Sequence, residues 1–143
     1  MNIFLDANIL VSVINKEYPL FTYTSRILSL STEDNRYKLF TSPLCLAIAF
    51  YFAQKKNKRT AKQKIELISD HLQIADVTNV AVQKALQNNA VHDFEDGLEY
   101  YSALENKCTC IITEDTKDFY FSDIEVLTSQ GFFESYMKKG SRK

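Results

Sequence analysis

Short apolar runs alternate with stretches of helical periodicity along almost the whole chain. Runs with the apolar and β-branched composition of strands occupy residues 2–5, 38–41, 72–75, 110–113 and 125–127. Around them, apolar residues recur every three or four positions, which predicts helices beginning near residues 7, 19, 43, 79, 93 and 129 and another around 65–68. The alternation predicts an α/β fold with a parallel sheet of four to five strands covered by helices.

The stretch 93–119 combines the most informative features in one unit. Asp93, Glu95 and Asp96 open a predicted helix, and Asp115 and Asp118 follow the apolar run 110–113. The apolar face of this helix consists of Gly97, Tyr100, Tyr101 and Leu104. In an open α/β sheet, the carboxyl ends of strands and the amino ends of helices border the same crevice. We therefore expect acids from two elements to meet there.

Composition limits the function classes. With 143 residues the chain is predicted to form a single domain over residues 1–138, followed by a mobile tail at 139–143. The net charge of −1 gives no overall attraction for nucleic acid, so RNA contacts would require a local patch. The three glycines are not clustered, which excludes a phosphate-binding loop and a dinucleotide fingerprint.

Cysteine content and hydropathy indicate a cytoplasmic location. The three cysteines form no CxxC pair, and we interpret them as reduced thiols. Asp6 interrupts the first apolar run, which lacks the basic start of a signal peptide. The longest apolar run, 44–53, is too short to cross a bilayer, so no membrane association is expected.

Four acids, Asp6, Asp96, Asp115 and Asp118, are predicted to converge at one edge of the sheet. Two carboxylates 4 Å apart repel by roughly 4 kcal/mol at an effective dielectric near 20, so such a cluster needs a cation or a shared proton. Oxygen ligands favour Mg²⁺ or Mn²⁺, which can ionise a water for phosphodiester hydrolysis. Each acid also has a simpler interpretation: Asp6 and Asp93 can cap helices, and Asp115 can form a turn.

Three segments together resemble the PIN domains, and most closely the VapC-like toxins of type II toxin–antitoxin pairs. These segments are LDANIL, SPLCLAIAFYF and DFEDGLEYYSALENKCTCIITEDTKDF. The resemblance covers essentially the whole chain. It implies a three-layer fold with helices on both sheet faces and a metal-dependent endoribonuclease. Asp6, Asp96 and Asp115 match the metal-binding acids, and Asp118 is the accompanying acid of the same loop.

The second acidic position departs from the family pattern. Where the family carries a glutamate in the third helix, this chain has Ile48, and nearby Cys45 is a poor ligand for a hard cation. Glu95, Asp93 or Glu66 can be considered as substitutes. Two hypotheses follow: an active ribonuclease with a reduced acid set, or a degenerate PIN domain that binds RNA or an antitoxin without cutting.

Further residues support these hypotheses at the periphery. Asn8 can hydrogen-bond a metal-bound water or cap the first helix. The basic residues Lys55, Lys56, Lys58 and Arg59 can guide an RNA backbone or simply form a solvated surface. An aromatic group in the second and third helices comprises Tyr18, Phe21, Tyr23, Phe50, Tyr51 and Phe52. The resemblance implies an antitoxin contact or a homodimer interface for this group, and ordinary core packing is the alternative.

Overall fold

The computed structural model describes residues 1–138 and contains a five-stranded sheet surrounded by helices. The strands are β1 (Asn2–Leu5), β2 (Lys38–Thr41), β3 (Gln73–Ile74), β4 (Cys110–Ile112) and β5 (Glu125–Leu127). The helices are α1 (Ala7–Ile14), α2 (Phe21–Glu33), α3 (Pro43–Lys56), α4 (Ala61–Ser69), α5 (Asn79–Gln87), α6 (Phe94–Glu105) and α7 (Ser129–Phe132). A 3₁₀ turn occupies Thr116–Phe119, and a π-helical segment occupies Phe133–Met137.

All neighbouring strands are parallel, in the order β3-β2-β1-β4-β5. The chain builds outward from β1 through β2 and β3, then returns to the other side of β1 for β4 and β5. The switch point therefore lies between β1 and β4, whose register pairs Leu5 with Ile112. Ligands bind outside the carboxyl ends of strands at such a point, and Asp6 follows β1 there.

The central strands are buried on both faces, as their continuous apolar sequences predict. Ile3, Phe4, Leu5, Ile111 and Ile112 are all at most 1% exposed. Helices α1, α3 and α4 pack against one another, and α5 packs on α6. The predicted three-layer α/β architecture, with a parallel sheet between helices, is confirmed.

Two helices differ from the prediction, the second helix in where it begins and the last helix in its type. Pro19 was expected in the first turn of the second helix, but it lies in the preceding turn after a cis Tyr18–Pro19 peptide. Helix α2 begins only at Phe21, after Leu20, whose side chain makes no capping hydrogen bond. The last predicted helix is α-helical for one turn and then π-helical. The predicted tail at 139–143 lies outside the described residues.

Gly97 brings α6 close to α5 and so helps to place the acids at the start of α6. A Cβ atom at Gly97 would lie 2.6 Å from Val91 Cγ1 and 3.0 Å from Ala85 Cβ. We expect Gly97→Ala to lower the free energy of unfolding by about 1–3 kcal/mol through overpacking, although alanine has the better helix propensity. Urea denaturation measures the change. Adding Val91→Ala should restore part of the loss, whereas an unchanged or higher stability of Gly97→Ala alone would contradict this packing.

Candidate metal centre

An open cavity of about 480 Å³ lies at the carboxyl ends of β1 and β4. Eight acidic residues line it, namely Asp6, Glu17, Asp93, Glu95, Asp96, Glu114, Asp115 and Asp118. The remaining lining residues are Asn8 and the apolar Ala7, Val11, Leu20, Ile48 and Phe52. Within residues 1–138, no lysine or arginine lines this cavity. The structure thus brings together all four acids that the sequence predicts to converge, and it adds four more.

Asp6 lines the cavity because it directly follows the buried strand β1. Its backbone N–H donates to the carbonyl of Ile112 at 3.1 Å, which ties the end of β1 to the end of β4. Its carboxylate Oδ1 accepts from the Ala7 N–H at 2.7 Å, and Oδ2 accepts from Thr113 Oγ1 at 2.8 Å. Asp6 is therefore the cap of α1, and hydrogen bonds fix both of its carboxylate oxygens. The residue is only 7% exposed.

A polar network around Thr113 links Asp6 to Asp115. Thr113 Oγ1 accepts from Asn8 Nδ2 and from the Asp115 N–H, both at 3.1 Å. Asn8 Nδ2 also lies 3.2 Å from Asp115 Oδ2, and Asn8 Oδ1 accepts from the Glu114 N–H at 3.1 Å. Asn8, predicted as a supporting residue, thus orients the loop after β4. Sequence reasoning missed Thr113, although it ends the predicted buried strand one residue before the acidic loop.

The amino end of α6 supplies the second group of acids. Asp93 caps this helix by accepting from the N–H groups of Glu95 and Asp96, so its capping interpretation is correct although it also lines the cavity. Burial and then the charges of Asp93, Asp118, Asp6 and Glu95 raise the pKa of Asp96 to about 7. Burial, followed by Asp93 and Asp6, also raises the pKa of Glu95. Burial contributes most to both shifts, and the neighbouring carboxylates add repulsion to it.

Glu99 is a buried acid that sequence reasoning missed. It lies one helical turn after Asp96, is fully buried, and its Oε1 accepts from Cys45 Sγ at 3.0 Å. Possible ligand atoms of Asp6, Cys45 and Glu99 all lie within 4.8 Å of one another. Burial and then the charge of Asp6 raise the pKa of Glu99 to about 10. Glu99 Oε2 is buried and has no hydrogen-bond partner, and a protonated Glu99 can direct its proton from this atom towards Asp6.

The spacing from Asp96 was the available signal for Glu99, because residues three apart share a helix face. Ile48, at the family's acidic position, does line the cavity from α3. Among the suggested substitutes, Glu95 and Asp93 also line the cavity, whereas Glu66 is exposed on α4 and does not. A carboxyl group that none of these suggestions included, that of Glu99, approaches Asp6 from the protein interior.

The four residues of the predicted basic patch differ in their contacts. Lys56 Nζ donates to the carbonyl of Asn15 at 2.6 Å and so joins α3 to the end of α1. Lys55 Nζ lies 4.7 Å from the centroid of the Tyr51 ring. Lys58 and Arg59 are exposed between α3 and α4. Lys56 therefore has a structural contact, whereas Lys55 lies beside an exposed aromatic ring.

The predicted aromatic group is also divided. Phe50 is partly buried and packs against the core, in agreement with the core-packing alternative for that residue. Tyr18, Tyr51 and Phe52 are instead 71%, 53% and 43% exposed. Only Phe52 of this group lines the acidic cavity.

Comparison with known proteins identifies the class of this fold. The sequence matches the family model of the PIN domain over residues 2–117, and the chain belongs to the PIN domain family. It is similar to Ribonuclease VapC1 from Aquifex aeolicus (strain VF5), with 28% identity over 138 residues, covering 94% of each chain.

Two solved structures share the fold. VapBC2 from Rickettsia felis, bound to a DNA fragment from its promoter, matches with a TM-score of 0.68 and 21% identity, covering 89% of this chain and 97% of that chain. The sarcin-ricin-loop-cleaving toxin VapC20 from Mycobacterium tuberculosis gives a TM-score of 0.63 and 14% identity, covering 86% and 98%. None of the helices within residues 1–138 is both long and apolar enough to span a bilayer.

Proposed function

We propose that this chain is a metal-dependent endoribonuclease of the VapC toxin type that hydrolyses RNA phosphodiester bonds. The observation that carries the proposal is the gathering of Asp6, Asp96, Asp115 and Asp118 in one cavity that no lysine or arginine lines within residues 1–138. The names of two relatives, a ribonuclease and a loop-cleaving toxin, support the reaction class.

The donor set fits a hard dication. The exposed cavity offers carboxylate oxygens, which select Mg²⁺ or Mn²⁺, and Asp6, Asp96 and Asp115 are the proposed ligands. Such an ion would neutralise the clustered charges, activate a water and stabilise the leaving oxygen. The Cys45 thiol is buried and does not line the cavity, and its Sγ lies 3.0 Å from Glu99 Oε1 and 4.0 Å from Asp6 Oδ1.

The surrounding residues hold this site in position. Thr113 and the Ala7 N–H fix the two oxygens of Asp6, and Asn8 fixes the loop that carries Asp115. Asp118 lies close enough to Asp96 to raise its pKa and is the proposed assisting acid, placed to accept a proton at its carboxylate. Glu99 is the proposed orienting group behind Asp6, since its proton can be donated to that carboxylate.

A second candidate function is binding without cleavage. Ile48 places an apolar sec-butyl side chain in the cavity where the family pattern has a glutamate. This loss of a carboxylate favours a degenerate site. An antitoxin protein is the proposed partner in either case, because the Rickettsia felis structure is named as a VapBC pair. A homodimer is a further proposal, and the cytoplasm is the proposed place of action.

Manganese titration followed by an RNA cleavage assay tests the proposed function. We expect calorimetry to detect Mn²⁺ binding at millimolar concentration or below, with an affinity that rises as the pH increases through about 7 because Asp96 must lose its proton. RNA cleavage should require Mg²⁺ or Mn²⁺ and stop with a chelator. Metal binding without cleavage would favour the non-catalytic candidate, and absence of both would exclude the enzyme.

A further inference from the structure

Helix α3 has two faces with different roles. Its core face consists of Cys45, Ala49 and Ala53, which are completely buried. Its other face begins at Ile48 and Phe52, both of which line the acidic cavity. The side of the cavity formed by α3 is therefore apolar and carries no acidic residue.

This apolar surface continues out of the cavity as an exposed aromatic pair. Phe52 is 43% exposed and Tyr51 is 53% exposed, and their rings meet edge to face with centroids 5.3 Å apart. Lys55, one turn further along α3, lies with its Nζ 4.7 Å from the Tyr51 centroid and 6.0 Å from the Phe52 centroid. An ammonium group thus stands beside two aromatic rings at the rim of the acidic site.

We propose that Phe52, assisted by Tyr51 and Lys55, is a nucleobase-binding platform for an unpaired nucleotide adjacent to the scissile phosphate. The inference rests on the proposed ribonuclease function and adds the residues that select the substrate. Proteins hold unpaired bases by stacking them on aromatic side chains, and every base has a π face that allows this. A paired base has its faces covered by its neighbours in the helix and cannot use the platform without unstacking.

Lys55 and the aromatic pair are the features that favour RNA as the occupant. The acidic side of the cavity repels phosphates wherever no dication lies between them. A strand that enters therefore needs attraction from outside the acid cluster, and Lys55 supplies a positive charge while Phe52 supplies stacking area. The combination of a cation and stacked aromatic rings is the recognition chemistry of single-stranded nucleic acid.

Binding should be measured in the Asp6→Asn background, so that cleavage does not consume the RNA. Fluorescence anisotropy with a short, labelled, unstructured RNA compares Phe52, Phe52→Trp and Phe52→Leu in that background. Leucine keeps the surface apolar but removes the π face, and we expect it to weaken binding by about 5- to 100-fold. Tryptophan should bind within about threefold of phenylalanine, since it keeps a stacking surface.

Abasic RNA locates the stacked nucleotide. With Phe52 present, one abasic position in the RNA should reproduce the loss caused by Phe52→Leu. In the Phe52→Leu protein the same abasic RNA should cause little additional loss, because both changes remove one contact. Fully additive losses would overturn the proposed contact between that base and Phe52.

Lys55 can be tested against a matched lysine. Lys55 and Lys84 are both exposed in the last turns of their helices and neither lines the cavity, but Lys55 lies beside the Tyr51 and Phe52 rings whereas Lys84 belongs to α5. Lys55→Gln should reduce the slope of log affinity against log salt by about 0.7, the change expected for one lost phosphate contact on a single strand. Lys84→Gln should leave that slope unchanged.

Several outcomes would overturn the platform. One such outcome is RNA binding that Phe52→Leu does not alter. Another is a loss of affinity that is equal for unpaired RNA and for a duplex of the same sequence. Either result would show that no base stacks on Phe52 and would favour a protein partner for this surface. If RNA binds with the expected Phe52 dependence but the protein with Asp6 intact does not cleave it, the platform stands and only the catalytic proposal fails.

Discussion

Replacing Asp6 with asparagine is expected to lower RNA cleavage by at least about 100-fold while it stabilises the metal-free protein. The loss in rate follows because the proposed dication supplies several kcal/mol of transition-state stabilisation and Asp6 is its central ligand. Mn²⁺ affinity measured by calorimetry should fall in the same variant. Asparagine is nearly isosteric and remains a good helix cap, so α1 should still begin at Ala7.

The stability gain follows from the crowding of carboxylates around Asp6. Removing one charge relieves repulsions of up to about 4 kcal/mol per close pair, and we expect the free energy of unfolding to rise by roughly 1–3 kcal/mol without metal. At saturating Mn²⁺ the order should reverse, because the wild-type protein binds the ion more tightly. Asp76→Asn, at an exposed position outside the cavity, is the control and should change neither property.

An Asp6→Asn protein that cleaves RNA at the wild-type rate would remove Asp6 from the catalytic site. A variant that is less stable than wild type without metal would show that the hydrogen bonds to Asp6 outweigh its repulsions. These two measurements are independent, since one reports on the loaded site and the other on the empty one.

The sequence predicted the convergence of Asp6, Asp96, Asp115 and Asp118 because convergence depends on topology alone. Strand β1 ends at Leu5 and β4 ends at Ile112, and parallel pairing places these ends side by side. Asp6 directly follows β1, the loop after β4 carries Asp115 and Asp118, and Asp96 reaches the same crevice from the amino end of α6. Most of the predicted strands and helices agree with the structure because their apolar residues form the buried faces, and the exceptions are the start of α2 and the π-helical segment Phe133–Met137.

The hydrogen bonds of Glu99 and Thr113, which lie next to the predicted acids, could not be predicted from topology. Whether the side chain of Glu99 is buried or faces solvent depends on how α6 lies relative to Cys45 on α3. The sequence pattern does not reveal that arrangement. The neighbour of Glu99 is Cys45, which sequence reasoning had considered only as a poor metal ligand. Thr113 likewise gains its role only when its hydroxyl meets Asp6 and Asn8.

Glu99 also changes the interpretation of Ile48. The loss of the family glutamate from α3 leaves an apolar side chain in the cavity, but a carboxyl group still reaches Asp6 from α6. This carboxyl is protonated at neutral pH, so it can orient Asp6 as a hydrogen-bond donor. We therefore propose that Glu99 orients Asp6 without adding another negative charge.

Replacing Glu99 with glutamine is expected to stabilise the protein above pH 4.5, by an amount that grows with pH. The pKa of Glu99 is raised from 4.5 to about 10, so above pH 4.5 the folded chain keeps a proton that the unfolded chain loses. Stability of the wild type therefore falls as pH rises, by up to about 1.4 kcal/mol per pH unit. Glutamine does not titrate, and urea denaturation at pH 8 should show an advantage of roughly 3–5 kcal/mol that vanishes near pH 4.5.

The matched variants of Glu99 separate its charge from its hydrogen bond. Glutamine can still donate to Asp6, so Mn²⁺ affinity should stay within about threefold of wild type, whereas Glu99→Leu should lower it about 10- to 100-fold, as loss of a group orienting a metal ligand does. Glu66→Gln, at an exposed position on α4, should leave both the pH profile and the affinity unchanged. Parallel stability profiles for wild type and Glu99→Gln would mean that Glu99 is ionised in the folded protein. In that case it would be a fourth carboxylate for the metal rather than a donor that orients Asp6.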